Sequence, residues 1–261
     1  MSDPIYDTIG TGYNSTRQAD PYIASRILKL LQPQPELCYL DIGCGTGNYF
    51  NYFTKNGYLF HGLDPSETML SVARANNPGA ILINGKAESI PYPDSYFAGA
   101  TAMFTFHHWE QQQAGLLELF RVLKPGAALV FLTFDGYQME KYWLAHYFPE
   151  MIKRSGALVP SEAEMKTNLE NAGFSNVISE KYFVTNDLKD QFLYAHKYRP
   201  QMYLDASVRS GISSFSAFST PGELNSGLKR LKSDIETHAI HDIISQYEND
   251  RGDYLFIKAN K

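Results

Sequence analysis

Apolar positions in the first 150 residues alternate between two periods. Compact runs at 37–42, 58–63, 80–83, 97–103 and 127–133 have the length of buried strands, and between them apolar residues recur at helical spacing. Ile23, Ile27 and Leu30 fall at i, i+4, i+7 after Asp20-Pro21, a side-chain cap followed by the proline that a first helical turn tolerates. Tyr49, Phe50 and Phe53 form a second helical face closed by Gly57. Met69, Leu70, Val72 and Ala73 mark a third, and Leu116, Leu119, Phe120 and Leu123 a fourth. Lys124-Pro125-Gly126 reads as the turn into the fifth strand. Strands separated by helices predict a doubly wound α/β core, a mostly parallel sheet with helices on both faces. Right-handed crossovers then gather the strand C-termini along one edge, where such folds bind ligands.

Beyond residue 135 the pattern changes. Residues 137–172 read as helical and aromatic, 176–184 as a strand, and 254–258 as a last strand at the C-terminal end. Between those two strands, 185–250 reads as a helical cap insert. It holds a helix from Leu188 to Tyr198 stopped by Pro200, a Ser-rich loop at 211–222, and a long helix over 223–249. One domain is expected, with its core at 35–184 and 251–261.

The chain has 261 residues and a formal charge of −5, with no Lys/Arg-rich block, so no nucleic-acid partner is expected. Cys38 and Cys44 lie too far apart along one strand for a disulfide. The N-terminus lacks the pattern of a signal peptide, and no apolar run approaches the roughly 18 residues of a membrane span. A cytoplasmic protein without a membrane span is expected.

The sharpest chemical signal is LDIGCGTGN at 40–48, strand then glycine loop then helix, with Asp64 closing the next strand 21 residues after Gly43. Glycines suit a loop whose backbone a ligand approaches closely, and an acid at Asp64 suits ribose hydroxyls. The dinucleotide fingerprint G-x-G-x-x-G/A fails at Asn48, and no Gly-Lys-Ser/Thr follows to make a phosphate loop. Asp41 precedes the loop, where it would repel the phosphates of a dinucleotide and favour the sulfonium and ammonium of S-adenosylmethionine. A merely glycine-rich turn is the bland alternative, and three alternating glycines with two placed acids weigh against it.

LDIGCGTG, the strand ending at Asp64, GKAESIPY at 85–92 and RVLKPG at 121–126 together resemble successive motifs of class I S-adenosylmethionine-dependent methyltransferases. The chain is most similar to the small-molecule, type 11 branch. That resemblance implies a seven-stranded Rossmann-like sheet with an antiparallel last strand, methyl transfer to a small-molecule acceptor by in-line displacement, and S-adenosylhomocysteine as product. It further implies that Gly43, Gly45 and Gly47 line the methionine and ribose, with Asp41 at the loop entrance and Asp64 on the ribose. Lys86, Ala87 and Glu88 would border the adenine, and Met103 would lie under the methionine moiety. The segment 1–34 would cover the cofactor, with Tyr13 and Arg17 presented together at i, i+4 and Arg17 on the cofactor carboxylate. Two departures are Lys86, where many relatives carry Asp or Asn, and Ala98, where the usual residue is Asp.

His107 and His108 stand just past the fourth strand, at the ligand edge. Either could act as a general base, although methyl transfer needs little acid–base help and a packing role is the stronger reading. Adjacent histidines without a third ligand make a poor metal site, so no metal is expected. The competing functions are a cofactor-binding protein without transferase activity, a nucleic-acid or protein methyltransferase, and a nicotinamide oxidoreductase. The sequence leaves the oligomeric state open.

Overall fold

The computed structural model describes residues 17–261. Its first helix starts where the capping chemistry directs. The Asp20 carboxylate accepts the Ile23 N–H at 3.0 Å, and Pro21 opens α1 (Pro21–Leu31), whose Ile23, Ala24, Ile27 and Leu31 are buried. There follow β1 (Cys38–Ile42), α2 (Asn48–Lys55), β2 (Leu59–Asp64), α3 (Glu67–Asn76), β3 (Ile81–Asn84), β4 (Phe97–Met103), α4 (Gln112–Val122) and β5 (Leu123–Thr133). A run of short helices comes next: α5 (Gly136–Glu140), α6 (Pro149–Gly156) and α7 (Glu162–Asn171). Then come β6 (Ser175–Tyr182), α8 (Ala206–Ser210), α9 (Ser213–Phe218), α10 (Pro221–Glu236), α11 (Ile240–Gln246) and β7 (Tyr254–Asn260).

The strands form one seven-stranded sheet in the order β3-β2-β1-β4-β5-β7-β6. Strands β1 to β5 pair in parallel, and β7 lies antiparallel between β5 and β6. This is the doubly wound architecture that the sequence predicts, with its antiparallel last strand. Side-chain alternation along β5 divides the core: Ala128, Val130 and Leu132 face one apolar cluster, and Leu129 and Phe131 the other. Ile27 of α1 and Phe50 and Phe53 of α2 cover the first face, together with Trp143, Tyr147 and Phe148. Leu116 and Leu119 of α4 and Met165 and Leu169 of α7 cover the second. No helix among the described residues is long and apolar enough to cross a membrane. Both cysteines are free thiols.

Local expectations fail at four places. Residues 188–198 form turns rather than a helix. Phe192, Leu193, Tyr194 and Ala195 are all buried, and four consecutive buried residues do not fit the single stripe that a surface helix hides. The Ser-rich stretch contains α9, whose Phe215 and Phe218, with Ile212 just ahead of them, supply an apolar face that the serines obscure. The long terminal helix breaks into α10 and α11, with His238 in the left-handed region at φ 63°. Strand β5 starts at Leu123, so Lys124-Pro125-Gly126 lies inside it, where the pairing with β4 slips between Phe97 and Gly99.

Candidate cofactor and acceptor site

Strands β1 and β4 are neighbours, while the chain runs outward from β1 through β2 and β3 and, in the other direction, from β4 through β5. The strand order therefore reverses between β1 and β4, and a crevice opens beyond their C-terminal ends. Gly43, just past β1, occupies that crevice at φ 68° with its N–H donated to the Leu63 carbonyl at 2.7 Å. A Cβ there would lie 2.1 Å from Thr105 Oγ1, so the loop rests directly on the segment that follows β4. Asp64 closes β2 and faces the same loop. Its carboxylate accepts the Gly45 N–H at 2.8 Å and the Ser66 N–H at 2.9 Å. Asp41 lies beneath, 1% exposed. One oxygen accepts the Thr101 hydroxyl at 2.8 Å, and Oδ2 is buried without a partner. Burial pushes this carboxyl up to about 7; Thr101 pulls the other way, and Asp64 adds to the rise.

These groups open on a cavity of about 1380 Å³, its mouth included. Its wall joins the glycine loop to a set of aromatic side chains, Phe104, Phe134, Phe192, Tyr194 and Tyr254. Of the predicted binding residues, Asp41, Gly43, Gly45, Asp64, Met103 and Arg17 all line it, as do both candidate histidines. Tyr13 lies outside the described residues. Gly47 does not line the wall: at φ 79° it starts α2, and a Cβ there would meet Asn77 and Ala73 of the neighbouring helix region. Lys86, Ala87 and Glu88 also lie off the cavity wall. Lys86 is exposed and pairs with Glu110 at 2.7 Å, Ala87 packs in the core, and Glu88 accepts the Gln111 N–H at 3.0 Å.

Arg17 is already engaged. Its Nε donates to Asp190 Oδ1 at 2.5 Å and its Nη2 to Oδ2 at 3.2 Å, and the Tyr49 hydroxyl donates to Oδ2 at 3.2 Å. The buried Asp190 thus ties Arg17, just ahead of α1, to Tyr49 of α2 and to the 186–199 segment. The two histidines are half-buried, and both are held below the ordinary imidazole range. Burial drives His107 well below the ordinary imidazole range, helped by His108, and drives His108 to about 4.

Sequence reasoning missed several wall residues. Asp190 sits far along the chain in an irregular segment, between Lys189 and Gln191, and carries no motif. Thr105, Ser155 and Tyr194 carry no motif. The aromatic clustering near residues 137–148 and 182–203 was the nearest signal to the last two.

Residues 40–131 match the family described as the methyltransferase domain. Over 210 residues the chain is 30% identical to the ubiquinone/menaquinone biosynthesis C-methyltransferase UbiE of Burkholderia orbicola, covering 69% of this chain and 85% of that protein. It is 31% identical over 121 residues to a malonyl-(acyl-carrier protein) O-methyltransferase of Erwinia pyrifoliae; that match spans 46% of this chain and about half, 46%, of the relative's length. Among solved structures, a protein of Anabaena variabilis assigned as a methyltransferase of an antibiotic biosynthesis pathway superposes with a TM-score of 0.82 at 30% identity. That superposition covers 93% of this chain and 98% of the other. With a glycine loop at the switch point, acids on two adjacent strands and this degree of likeness over most of its length, the chain belongs to the S-adenosylmethionine-dependent methyltransferases of the small-molecule branch.

Proposed function

We propose that this chain moves the methyl group of S-adenosylmethionine onto a small-molecule acceptor held in the same cavity. One observation carries the reading: the glycine loop, the Asp64 carboxylate and a broad aromatic wall share one crevice, so a cofactor on the loop has the acceptor as its neighbour. The residues present fit the cofactor. Gly43 and Gly45 bare the backbone, Asp64 offers acceptor oxygens for ribose hydroxyls, and the orphaned Oδ2 of Asp41 offers negative charge to a cation. When bound, S-adenosylmethionine supplies a methyl group already activated by its sulfonium.

The chain's own part is then to hold, align and dry the site. Alignment of two bound reactants can supply much of the rate. The aromatic wall excludes water from the acceptor side. Uncharged His107 and His108 are weak proton acceptors, which suits packing and orientation better than base catalysis. The segment 185–250, which contributes Asp190, Phe192, Tyr194 and Ile212 to the wall, serves as the cap over the acceptor. The relatives' names include both a C- and an O-methyltransferase, so family membership leaves the acceptor atom open.

Calorimetric titration with S-adenosylmethionine, S-adenosylhomocysteine and NAD tests the reading. The two sulfur compounds should bind and NAD should not, and Asp64→Ala should weaken the former at least tenfold in a chain that still folds. Binding of NAD alone, or unchanged affinity in the variant, contradicts it.

A further inference from the structure

The acceptor side of the cavity has a chemistry that narrows what it can hold, given the function proposed above. Its wall is one continuous aromatic surface. His107 packs on Phe134 with ring centroids 5.1 Å apart, Phe134 on Tyr254 at 6.4 Å, Tyr254 on Phe192 at 4.7 Å, and Phe192 on Phe104 at 4.8 Å. The charged residues lining the cavity, among those described, are Arg17, Asp41, Asp64 and Asp190. All four belong to the glycine-loop side: Asp41 and Asp64 flank the loop, and Arg17 and Asp190 are bonded to Asn48 and Tyr49 at the start of α2. Among the described residues, the aromatic side therefore offers no full charge to a partner.

It does offer polar atoms. Among the described residues, seven buried side-chain atoms have no hydrogen-bond partner, and four of the seven belong to this cavity's lining residues. One is Asp41 Oδ2, on the cofactor side. The other three are His107 Nδ1, Ser155 Oγ and the Tyr194 hydroxyl, which come from three separate stretches of the chain: the turn after β4, helix α6 and the 186–199 segment. Buried polar groups are nearly always satisfied, and an exception in a cavity wall points to a ligand that completes it. Burial raises the Tyr194 phenol well above its ordinary range and lowers His107 well below its own, so the polar atoms are neutral at pH 7.

We propose that the acceptor is an uncharged aromatic molecule bearing a hydroxyl or carbonyl oxygen, and that this oxygen is recognised by one or more of His107, Ser155 and Tyr194. A carboxylate or phosphate on the acceptor would be buried without a counter-charge, which is strongly disfavoured. A purely hydrocarbon ring would leave the three polar atoms unpaired, and sites built to bond an oxygen reject analogues that lack it.

Three probes that share one ring system separate these cases: 2-naphthol, naphthalene and 2-naphthoate, an anion at pH 7. Their binding is measured by equilibrium dialysis with and without saturating S-adenosylhomocysteine, whose own binding is measured on the same samples. The expected result is that 2-naphthol binds about three- to tenfold more tightly than naphthalene, one hydrogen bond's worth, and at least tenfold more tightly than 2-naphthoate. Among Tyr194→Phe, Ser155→Ala and His107→Leu, at least one should bring 2-naphthol to the affinity of naphthalene. In Tyr194→Phe and Ser155→Ala, which delete only an oxygen, naphthalene itself should shift by less than twofold. The inference is overturned if 2-naphthoate binds as well as 2-naphthol, if 2-naphthol gains nothing over naphthalene, if no probe binds, or if the preference survives all three variants. Failure of S-adenosylhomocysteine to bind overturns the proposed function instead, and the selectivity without it still decides the acceptor class.

Discussion

Replacing Asp41 by asparagine should stabilise the cofactor-free protein at alkaline pH while weakening its hold on S-adenosylmethionine. The carboxyl is pushed from its ordinary 3.8 up to about 7, first by burial. At 1.36 kcal/mol per unit, keeping it ionised inside the fold costs about 4 kcal/mol, a large share of a total stability of roughly 5–15 kcal/mol. The sign follows from proton linkage. The folded protein binds this proton more tightly than the unfolded chain, which loses it from about pH 4. Stability therefore falls as pH rises from the unfolded value of 3.8 to the folded value of about 7, and then levels off. Asparagine keeps the hydrogen bond donated by Thr101 and has no charge to bury. Its amide leaves a donor where Oδ2 stood, but that cost does not vary with pH. Urea melts at half-unit steps from pH 4 to pH 8, with equal m-values as the control, should show variant minus wild-type stability rising by about 4 kcal/mol, nearly all of it below pH 7. Parallel curves would refute the reasoning. The same substitution should weaken S-adenosylmethionine more than S-adenosylhomocysteine, which lacks the sulfonium charge.

Gly43→Ala should cost about 2 kcal/mol or more, from left-handed backbone strain plus overpacking against Thr105. The three nearest atoms all belong to that threonine, so adding Thr105→Gly should return part of the loss in the same urea melts. Arg17→Ala should cost about 3 kcal/mol without any cofactor present, because it strips the buried Asp190 of its guanidinium. Arg17→Lys, lacking the planar fork, should not restore it, and equal stability of wild type and Arg17→Ala would mean that the pair is no tether. The His108 ring, held at about 4 by desolvation, should show no titration between pH 5.5 and 8 in proton NMR; a midpoint near the ordinary 6.5 would contradict its neutral state.

Much of this site is written locally and is therefore legible in the chain. Asp20-Pro21 caps its helix through contacts three residues apart, and LDIGCGTGN places strand, loop and helix within nine consecutive positions. The pairing of Asp64 with the loop follows from parallel-sheet topology, because β2 must lie beside β1 with both C-termini at one edge. What the chain hides is non-local. Gly47 follows the glycine pattern yet packs against α3, since its role depends on where Ala73 and Asn77 arrive. Arg17 has the charge for a cofactor carboxylate, but Asp190, 173 residues away, reaches it in the fold. The segment around Tyr194 has helix-like spacing, and burial on every side overrides it. The histidines look titratable on paper, and only packing against Phe134 and each other shows them to be neutral.

A crystal structure with S-adenosylhomocysteine bound is the most direct test of the site as a whole. The ribose hydroxyls should hydrogen-bond the Asp64 carboxylate, the methionine portion should pass over Gly43 and Gly45, and the sulfur should face the chamber walled by Phe104, Phe134 and Tyr254. A ligand lying elsewhere, or one whose sulfur faces away from that chamber, would contradict the assignment of cofactor and acceptor to a single crevice.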